Sequence, residues 1–233
     1  MIEEPALITI KKTRRRPSQE QIDAFRGVST GFVVDALFGA GALDGSIQPI
    51  GGGRDIDCTV AGPALTADSG PADVLATQAA LNFIQPGDVL VCAFGAHQGC
   101  ASVGDSIMGM IANNGGAGFV SDGPARDYAG IVEVGLPVWC TGLTPASPFS
   151  SGPGKVGFAI QIGGQQVESG DMIIADRDGV VVVPFDRIDN CIAQLDRVRE
   201  AEAIRDQAVA NGLKIPDQIA EILKSDRVKF TDD

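Results

Sequence analysis

Two short apolar runs with a helical pattern between them decide the fold of this chain. The first run is VLVCAFG (89–95), a continuous apolar stretch that is typical of a buried strand. The stretch GDSIMGMIANNGGAGFVSDGPARD (104–127) then predicts a helix that begins near Asp105 and ends at GGAG, followed by a second strand, GFVSDG (118–123). A strand–helix–strand unit of this length predicts a right-handed parallel crossover.

The predicted crossover brings three charged residues to one edge of the sheet. The helix begins where the first strand ends, and the second strand returns to the same edge. Asp105 is therefore expected to lie near Arg126 and Asp127. Open α/β sheets usually bind ligands at this edge, beyond the carboxyl ends of the strands. Taken singly, Asp105 is typical of a helix N-cap and Arg126-Asp127 of a solvated loop pair, so it is their convergence that indicates a site.

The rest of the chain indicates an α/β fold. Helical and strand patterns alternate in the middle, residues 155–184 form a run of strands split by glycine turns, and a long helix follows that ends at Gly212. This order predicts mixed β-sheets packed together and flanked by helices. We place the main domain at residues 18–213, between an N-terminal arm (1–17) and a C-terminal helical tail (214–233).

The composition argues against several classes of function. The net charge of -12 would repel a phosphate backbone, so we expect no nucleic-acid partner. No apolar run approaches the roughly 20 residues that span a bilayer, and no signal peptide is recognisable, so we expect a cytoplasmic protein without a membrane partner. The five cysteines form no CxxC pair and are expected to be reduced core residues. The basic run KKTRRR (11–16) is predicted to be a solvated arm.

The residue types at the expected edge suit a small anionic ligand and a divalent metal. The backbone amides of Ser106 and Ile107, at the start of the helix, can hold a carboxylate. Arg126 offers a planar fork for a carboxylate or a carbonyl oxygen. Asp105 and Asp127 are hard oxygen ligands for Mg²⁺ or a similar cation. Together these groups are what the stabilisation of an enolate requires.

Two other features carry weaker signals. The glycines at 51–53 lack the lysine and the Ser/Thr of a phosphate-binding loop. His97 is the single histidine and lies in the loop FGAHQGCASV (94–103), where it has either a functional role or a structural or surface role.

The spacing of Asp105 from Arg126 and Asp127 resembles the signature of the RraA-like family, which includes the 4-hydroxy-4-methyl-2-oxoglutarate/4-carboxy-4-hydroxy-2-oxoadipate aldolases. The resemblance covers about residues 18–213 and implies an α/β/β/α, swivelling-domain-like arrangement that assembles as a homotrimer or homohexamer with sites near subunit interfaces. Further matching stretches are STGFVVDAL (29–37), QPGDVLV (85–91), SGDMIIADRDGVVVVP (169–184) and the REAEAIR helix.

The resemblance implies a metal-dependent pyruvate aldolase. Asp127 would bind Mg²⁺ or Mn²⁺ directly, and Asp105 would hold the metal through water and orient an acid–base water. Arg126 would bind the pyruvyl group of a small 2-oxo acid. Retro-aldol cleavage of a 4-hydroxy-2-oxo acid would release pyruvate through its enolate, and oxaloacetate decarboxylation passes through the same enolate. The implied substrate-binding residues are Gly104, Ser106, Ile107 and Arg126, with the amides of Ser106 and Ile107 taking the carboxylate.

The resemblance also implies carboxylates from a neighbouring subunit. The early one aligns with Asp35, where the aldolases tend to carry Glu, and the later one falls on Glu200 or Glu202. The alternative function is that of the family's namesake, a non-catalytic regulator that binds a ribonuclease. Regulatory members tend to keep the arginine and lose the following aspartate, so the presence of Asp127 favours the enzyme.

Overall fold

The secondary structure is mixed α and β in the computed structural model, which describes residues 6–231. The strands in that range are β1 (Ile8–Ile10), β2 (Gln48–Pro49), β3 (Val60–Asp68), β4 (Val89–Ala93), β5 (Gly118–Ser121), β6 (Val138–Cys140), β7 (Gly154–Val156), β8 (Ile160–Ile162), β9 (Gln165–Val167), β10 (Met172–Asp176) and β11 (Gly179–Val183). The α-helices are α1 (Gln19–Ala24), α2 (Thr30–Ala36), α3 (Leu75–Ala80), α4 (Asp105–Asn113), α5 (Tyr128–Val134), α6 (Ile188–Ala210) and α7 (Asp217–Leu223).

The main sheet is built around four parallel strands in the order β3-β4-β5-β6. In the pair β4–β5, Val89 lies opposite Gly118 and Cys92 lies opposite Ser121, with α4 connecting the two strands. β7 and β1 continue the sheet beyond β3, and β2 continues it beyond β6. This arrangement confirms the predicted parallel crossover and the predicted α/β fold with a multi-stranded sheet flanked by helices.

β3 joins the main sheet to the antiparallel pair β10–β11. Residues 60–63 of β3 pair with β10, whereas residues 64–68 pair with β4. Pro63 lies at the change of partner, where a residue without an N–H removes one ladder hydrogen bond at least cost. The backbone is tightly packed here, because a Cβ on Gly62 would lie 2.2 Å from the carbonyl oxygen of Gly87. β8 and β9 form a separate hairpin.

The central parallel strands are buried on both faces. Residues 89–92 of β4 have no exposed surface, and neither do Phe119 and Val120 of β5. Strands covered on both faces consist of continuous apolar runs, which explains the pattern in the sequence. On α4, Met108 and Ile111 are three residues apart, so both face the core.

The cysteines belong to this core. All five are buried free thiols, as predicted. Burial raises the pKa of Cys92 to about 11 and that of Cys191 to about 11. Neither thiol is therefore appreciably ionised at neutral pH.

The chain divides into two units at a boundary after Leu195, inside α6. The first unit holds all the strands described above, α1–α5 and the beginning of α6. The second holds the rest of α6 and α7. The domain limits at residues 17 and 213 stay predictions from the sequence. Within residues 6–231, no helix has both the length and the apolar character needed to cross a membrane.

The prediction that the basic run 11–16 is a solvated arm holds only in part, because Arg14 and Arg16 are partly buried whereas the other members of the run are exposed. β1, which lies just before the run, pairs with β7 of the main sheet. Arg14 and Arg16 each bind one carboxylate oxygen of Asp88, whose side chain is fully buried. Arg14 also donates to the carbonyl oxygens of Ala64 and Phe83, at 3.3 Å each. A buried carboxylate is costly unless it is paired, and these contacts compensate that cost.

We predict that Asp88→Ala lowers the free energy of unfolding by about 3 kcal/mol, because it leaves guanidinium groups without their buried partner. Most of this loss should come from Arg14, because its side chain is only 10% exposed and would be left as a nearly buried, unpaired charge. Urea denaturation followed by circular dichroism measures the change. Asp186→Ala is the matched control, because Asp186 binds Arg15 and its side chain is 79% exposed. This substitution should lower the free energy of unfolding by less than about 1 kcal/mol. Equal effects of the two substitutions would contradict the anchoring role of Asp88.

Candidate active site

Two loops that leave the carboxyl ends of β4 and β5 form the candidate site. The loop after β5 pairs with its neighbours through isolated parallel bridges, Val103 with Ala125 and Ala125 with Leu143. The N–H of Arg126 donates to the carbonyl oxygen of Val103 at 3.0 Å, and the N–H of Ala125 donates to that of Gly142 at 2.9 Å. These bonds extend the sheet past its regular strands and bring Arg126 next to the start of α4.

Asp105, Arg126 and Asp127 line one cavity of about 260 Å³. The Nε of Arg126 lies 3.1 Å from Oδ2 of Asp127, and its Nη1 donates to the hydroxyl of Ser147 at 2.7 Å. The side chains of Arg126 and Asp127 are 37% and 43% exposed, so they remain accessible to a ligand. The structure thus brings together the three charged residues on which the sequence argument depends. Arg126 and Asp127 also border a second cavity, of about 310 Å³.

Asp127 has an unusual backbone conformation. It occupies the N-cap position of α5 with φ 58° and ψ 45°, in the left-handed region, and its side chain makes no capping hydrogen bond. A residue other than glycine in this region typically costs on the order of 1 kcal/mol, and such strain is concentrated at functional sites. The carboxylate lies beside Nε of Arg126 and does not cap the helix.

Two glycines make room for the two carboxylates. A Cβ on Gly104 would lie 2.7 Å from Oδ2 of Asp127. A Cβ on Gly130, in α5, would lie 2.5 Å from Oδ2 of Asp105. Both distances are too short for non-bonded atoms, so a side chain at either position would displace the neighbouring carboxylate, and at Gly130 it would also lie 2.7 Å from Cβ of Asp105.

The start of α4 differs from the sequence prediction in two respects. Gly104, not Asp105, occupies the N-cap position, and Asp105 is the first helical residue. The Oδ1 of Asp105 accepts the N–H of Ser106 at 2.6 Å, so that amide is already engaged. Among the described residues the N–H of Ile107 has no hydrogen-bond partner and remains available, together with the positive end of the α4 dipole, for an anion.

Asp73 fixes the wall of the cavity that Ser147, Pro148 and Ser150 form. Its carboxylate, 8% exposed, accepts the N–H groups of Leu75 at 2.8 Å, Ser151 at 2.6 Å and Gly152 at 3.0 Å. Burial alone would raise the pKa of Asp73, but the three amides outweigh it and the pKa lies below its ordinary value. The sequence reasoning missed this residue, although an aspartate just before an apolar helical run is a recognisable capping signal.

Asp122 fixes the loop after β4 by accepting backbone N–H groups, as Asp73 does for its segment. Its carboxylate is 8% exposed and accepts the N–H groups of Phe94 at 2.5 Å and Ala96 at 2.8 Å. His97 follows in this loop, with its ring edge-to-face on Phe94 at a centroid distance of 5.8 Å. It is not among the described residues that line the Asp105 cavity.

The carboxylates predicted to come from a neighbouring subunit do not line the Asp105 cavity of this chain. Asp35 is exposed on α2 and lines a different cavity, of about 320 Å³, with Asp44 and Asp178. Glu200 and Glu202 lie on the part of α6 that belongs to the second unit. Glu200 is exposed, and Glu202 binds Arg205 at 3.0 Å.

The donor set fits a weakly held divalent cation. Within residues 6–231 there is no cluster of three or more His, Cys, Asp and Glu residues able to hold a metal ion. Asp105 and Asp127 are the carboxylates that line the cavity. One or two carboxylates with several retained waters are the usual protein environment of Mg²⁺, so a cation of this kind suits the site and a fully protein-ligated one does not.

Comparisons with known proteins agree with this architecture. Residues 30–182 match the family model described as "RraA-like: Aldolase/RraA". The chain is 32% identical to a Halalkalibacterium halodurans protein named "Putative 4-hydroxy-4-methyl-2-oxoglutarate aldolase", over 84% of this chain and 93% of the relative.

Two solved structures show the same fold. Streptomyces coelicolor RraAS2, described as an unusual member of the RNase ES inhibitor RraA protein family, is 30% identical with a TM-score of 0.71, over 82% of this chain and 99% of the other. An uncharacterised protein from Pseudomonas syringae is 22% identical with a TM-score of 0.72, over 86% and 97%, and shows the fold alone.

We predict that Asp73→Asn destabilises the protein in a pH-dependent manner. At neutral pH the loss should be about 1–2 kcal/mol, because an amide oxygen replaces an ionised acceptor of three N–H groups. The folded pKa lies below the ordinary value of 3.8, so the stabilisation is complete above that value and is lost as the pH falls through the folded pKa. Denaturation curves of the two proteins should therefore converge in acid. A difference that stays constant with pH would show that the charge of Asp73 contributes nothing.

Proposed function

This chain belongs to the RraA-like family, and from that premise we propose that it is a divalent-metal-dependent aldolase. The reaction is the retro-aldol cleavage of a 4-hydroxy-2-oxo acid with release of pyruvate. The observation that carries the proposal is the convergence of Asp105, Arg126 and Asp127 on one cavity at the carboxyl edge of the parallel strands. A family relative named as an aldolase supports the same reaction class.

The proposed roles follow from the positions of the groups. The free N–H of Ile107 and the start of α4 bind the substrate carboxylate. The guanidinium of Arg126 lies beside the 2-oxo oxygen and offsets the charge that develops there. Asp127 would hold Mg²⁺ or Mn²⁺ directly, and Asp105 would hold it through a water. When bound, the cation supplies Lewis-acid stabilisation of the enolate oxygen.

The chemical steps conserve atoms and electrons. The 4-hydroxyl gives its proton to a water that Asp105 orients, and its oxygen forms a carbonyl as the C3–C4 bond breaks. The electron pair of that bond moves into the C2–C3 bond and the 2-oxo oxygen, which gives the enolate of pyruvate. The same water then returns the proton to C3, which completes the reaction with no net gain or loss of protons. Decarboxylation of oxaloacetate leads to the same enolate, and we propose it as a side activity.

We further propose that the enzyme is a homotrimer or homohexamer that completes each site with residues of a neighbouring copy. Asp35 and either Glu200 or Glu202 would serve there as acid–base groups. The exposure of Asp35 and its position away from the Asp105 cavity are compatible with service to another copy. Light scattering on the purified chain measures the oligomeric state.

The second candidate function is regulation of a ribonuclease. The similarity to Streptomyces coelicolor RraAS2 favours it. The two functions make different demands on the site, because a binding surface has no need of a strained aspartate whose carboxylate lies beside an arginine. Inhibition of a ribonuclease by the chain, without pyruvate release from any 4-hydroxy-2-oxo acid, would favour the regulator.

We predict that the protein releases pyruvate from 4-hydroxy-2-oxo acids in the presence of Mg²⁺ or Mn²⁺, as measured by coupled reduction with lactate dehydrogenase. Arg126→Lys keeps the charge but loses the planar fork, and should lower kcat by on the order of 10²-fold. Asp127→Asn should abolish the response to the metal.

Arg26→Lys is the matched control, because Arg26 pairs with Asp23 on the exposed face of α1. It should leave the rate unchanged. If the wild-type protein released no pyruvate with any of the metals and substrates tried, the proposal that it is an aldolase would be refuted.

We predict a similar loss of rate for Gly130→Ala, together with a loss of stability, because the new methyl group would also lie 2.7 Å from Cβ of Asp105. The new methyl group would occupy space 2.5 Å from the Asp105 carboxylate and displace it, and a displacement of about 1 Å can cost on the order of 10²-fold in rate. Gly109→Ala is the matched control, since its Cβ would meet nothing closer than 4.0 Å. Both glycines lie in helices, where alanine is the better helix former by about 1 kcal/mol. Equal rates for the two variants would contradict the proposed role of Asp105 in catalysis.

A further inference from the structure

The three glycines at positions 51–53 form a short turn whose position the core fixes. Each of them has a positive φ, at 61°, 68° and 64° in chain order. Ile50 before the turn and Ile56 after it are both buried. The turn also follows β2 directly, and β2 pairs with β6 of the main sheet. This segment is therefore held from both sides.

The turn packs against the ring of Tyr128. A Cβ on Gly51 would lie 2.8 Å from both Cε2 and Cζ of that ring and closer still to the hydroxyl oxygen, so the Gly51 backbone is in close contact with it. The hydroxyl donates a hydrogen bond to Oδ2 of Asp55, just after the turn. This bond raises the pKa of Tyr128, so the phenol stays protonated at neutral pH and remains the donor. One segment of the chain thus contacts both the ring and the hydroxyl.

Tyr128 is the first residue of α5 and directly follows the strained Asp127. The left-handed backbone of Asp127 therefore lies between two neighbours with fixed positions. On one side, the N–H of Arg126 donates to the carbonyl oxygen of Val103 at 3.0 Å. On the other side, the glycine turn and Asp55 hold Tyr128. A strained conformation persists only where the surrounding structure over-determines it, and these two neighbours provide such a constraint.

We propose that Tyr128 is a positioning residue: held by Gly51 and Asp55, it keeps the Asp127 carboxylate in the orientation that binds the divalent cation. In this role Tyr128 does not touch the metal and transfers no proton. The inference rests on the proposed function, because it takes Asp127 as the metal ligand. It gives the segment 51–55 a part in metal affinity, although that segment lines neither the Asp105 cavity nor the second cavity.

The first test is Tyr128→Phe, which removes the hydroxyl and keeps the ring. The dissociation constant of Mn²⁺ is measured from the electron paramagnetic resonance signal of the free ion. Substrate is left out, because Tyr128 also lines the second cavity and could contact it. Loss of a group that orients a metal ligand typically weakens metal binding by roughly 10–100-fold, so the dissociation constant should rise about tenfold. Urea denaturation of the metal-free variant gives its stability separately.

Asp55→Ala removes the same hydrogen bond from its acceptor side. Because both substitutions break one bond, the double variant with Tyr128→Phe should bind Mn²⁺ no more weakly than Asp55→Ala alone. Asp57→Ala is the matched control for the lost charge. Asp57 is exposed near the same turn and binds the hydroxyl of Thr59 at 3.0 Å, not Tyr128. Its substitution should leave the dissociation constant unchanged.

The glycine turn offers a second matched pair. Gly51 and Gly52 both have a positive φ, so alanine is strained to a similar degree at either position. A Cβ on Gly52, however, would meet nothing within 4 Å, whereas one on Gly51 would collide with Tyr128. Gly51→Ala should therefore weaken Mn²⁺ binding about as much as Tyr128→Phe, and Gly52→Ala should not.

An unchanged Mn²⁺ affinity in Tyr128→Phe, while Asp127→Asn loses Mn²⁺ binding, would overturn this inference and leave the proposed function intact. A loss of stability in Tyr128→Phe without a loss of Mn²⁺ affinity would overturn it too, because the bond would then be purely structural. Equal effects of Gly51→Ala and Gly52→Ala would also contradict it. If the wild-type protein bound no Mn²⁺ and released no pyruvate, the proposed function and this inference would fall together.

Discussion

The parallel register of β4 and β5 is the constraint on which the site depends. Because both strands run in the same direction and are connected through α4, their carboxyl ends and the start of the helix must meet at one edge. The bridges of Val103 with Ala125 and of Ala125 with Leu143 carry this pairing past the strands, into the loops that hold the charged side chains. The strands are buried on both faces, so a shift of register would expose their apolar residues.

Buried or nearly buried aspartates then fix the loops around that edge. Asp73 accepts three backbone N–H groups from its own and a distant segment, and Asp122 accepts two in the loop after β4. Asp88 accepts the N–H of Gln85 and also binds two arginines, which ties the N-terminal residues to the sheet. A carboxylate has several acceptor positions and is costly to bury without partners, so each of these residues selects one loop conformation. Part of the acidic composition is thus structural.

The same geometry explains why the site is strained and lined by glycine. Asp127 keeps a left-handed backbone that directs its carboxylate to Arg126, and Gly104 and Gly130 remove the side chains that would collide with the two carboxylates. Strain and close approach are tolerated because the sheet on one side and the helices on the other hold the backbone in place.

The sequence alone determined the parallel crossover, the α/β fold, the burial of the cysteines and the edge at which Asp105, Arg126 and Asp127 meet. These features follow from local periodicity and from the handedness and direction of one connection. Both can be recognised in a short, continuous stretch of sequence. Only the tertiary structure decided that Arg14 and Arg16 bind Asp88 and that Asp73, Gln78, Ser147 and Ser150 shape the cavity. Those contacts join residues far apart in the chain, and no spacing in the sequence encodes which distant amide or guanidinium a buried carboxylate will find.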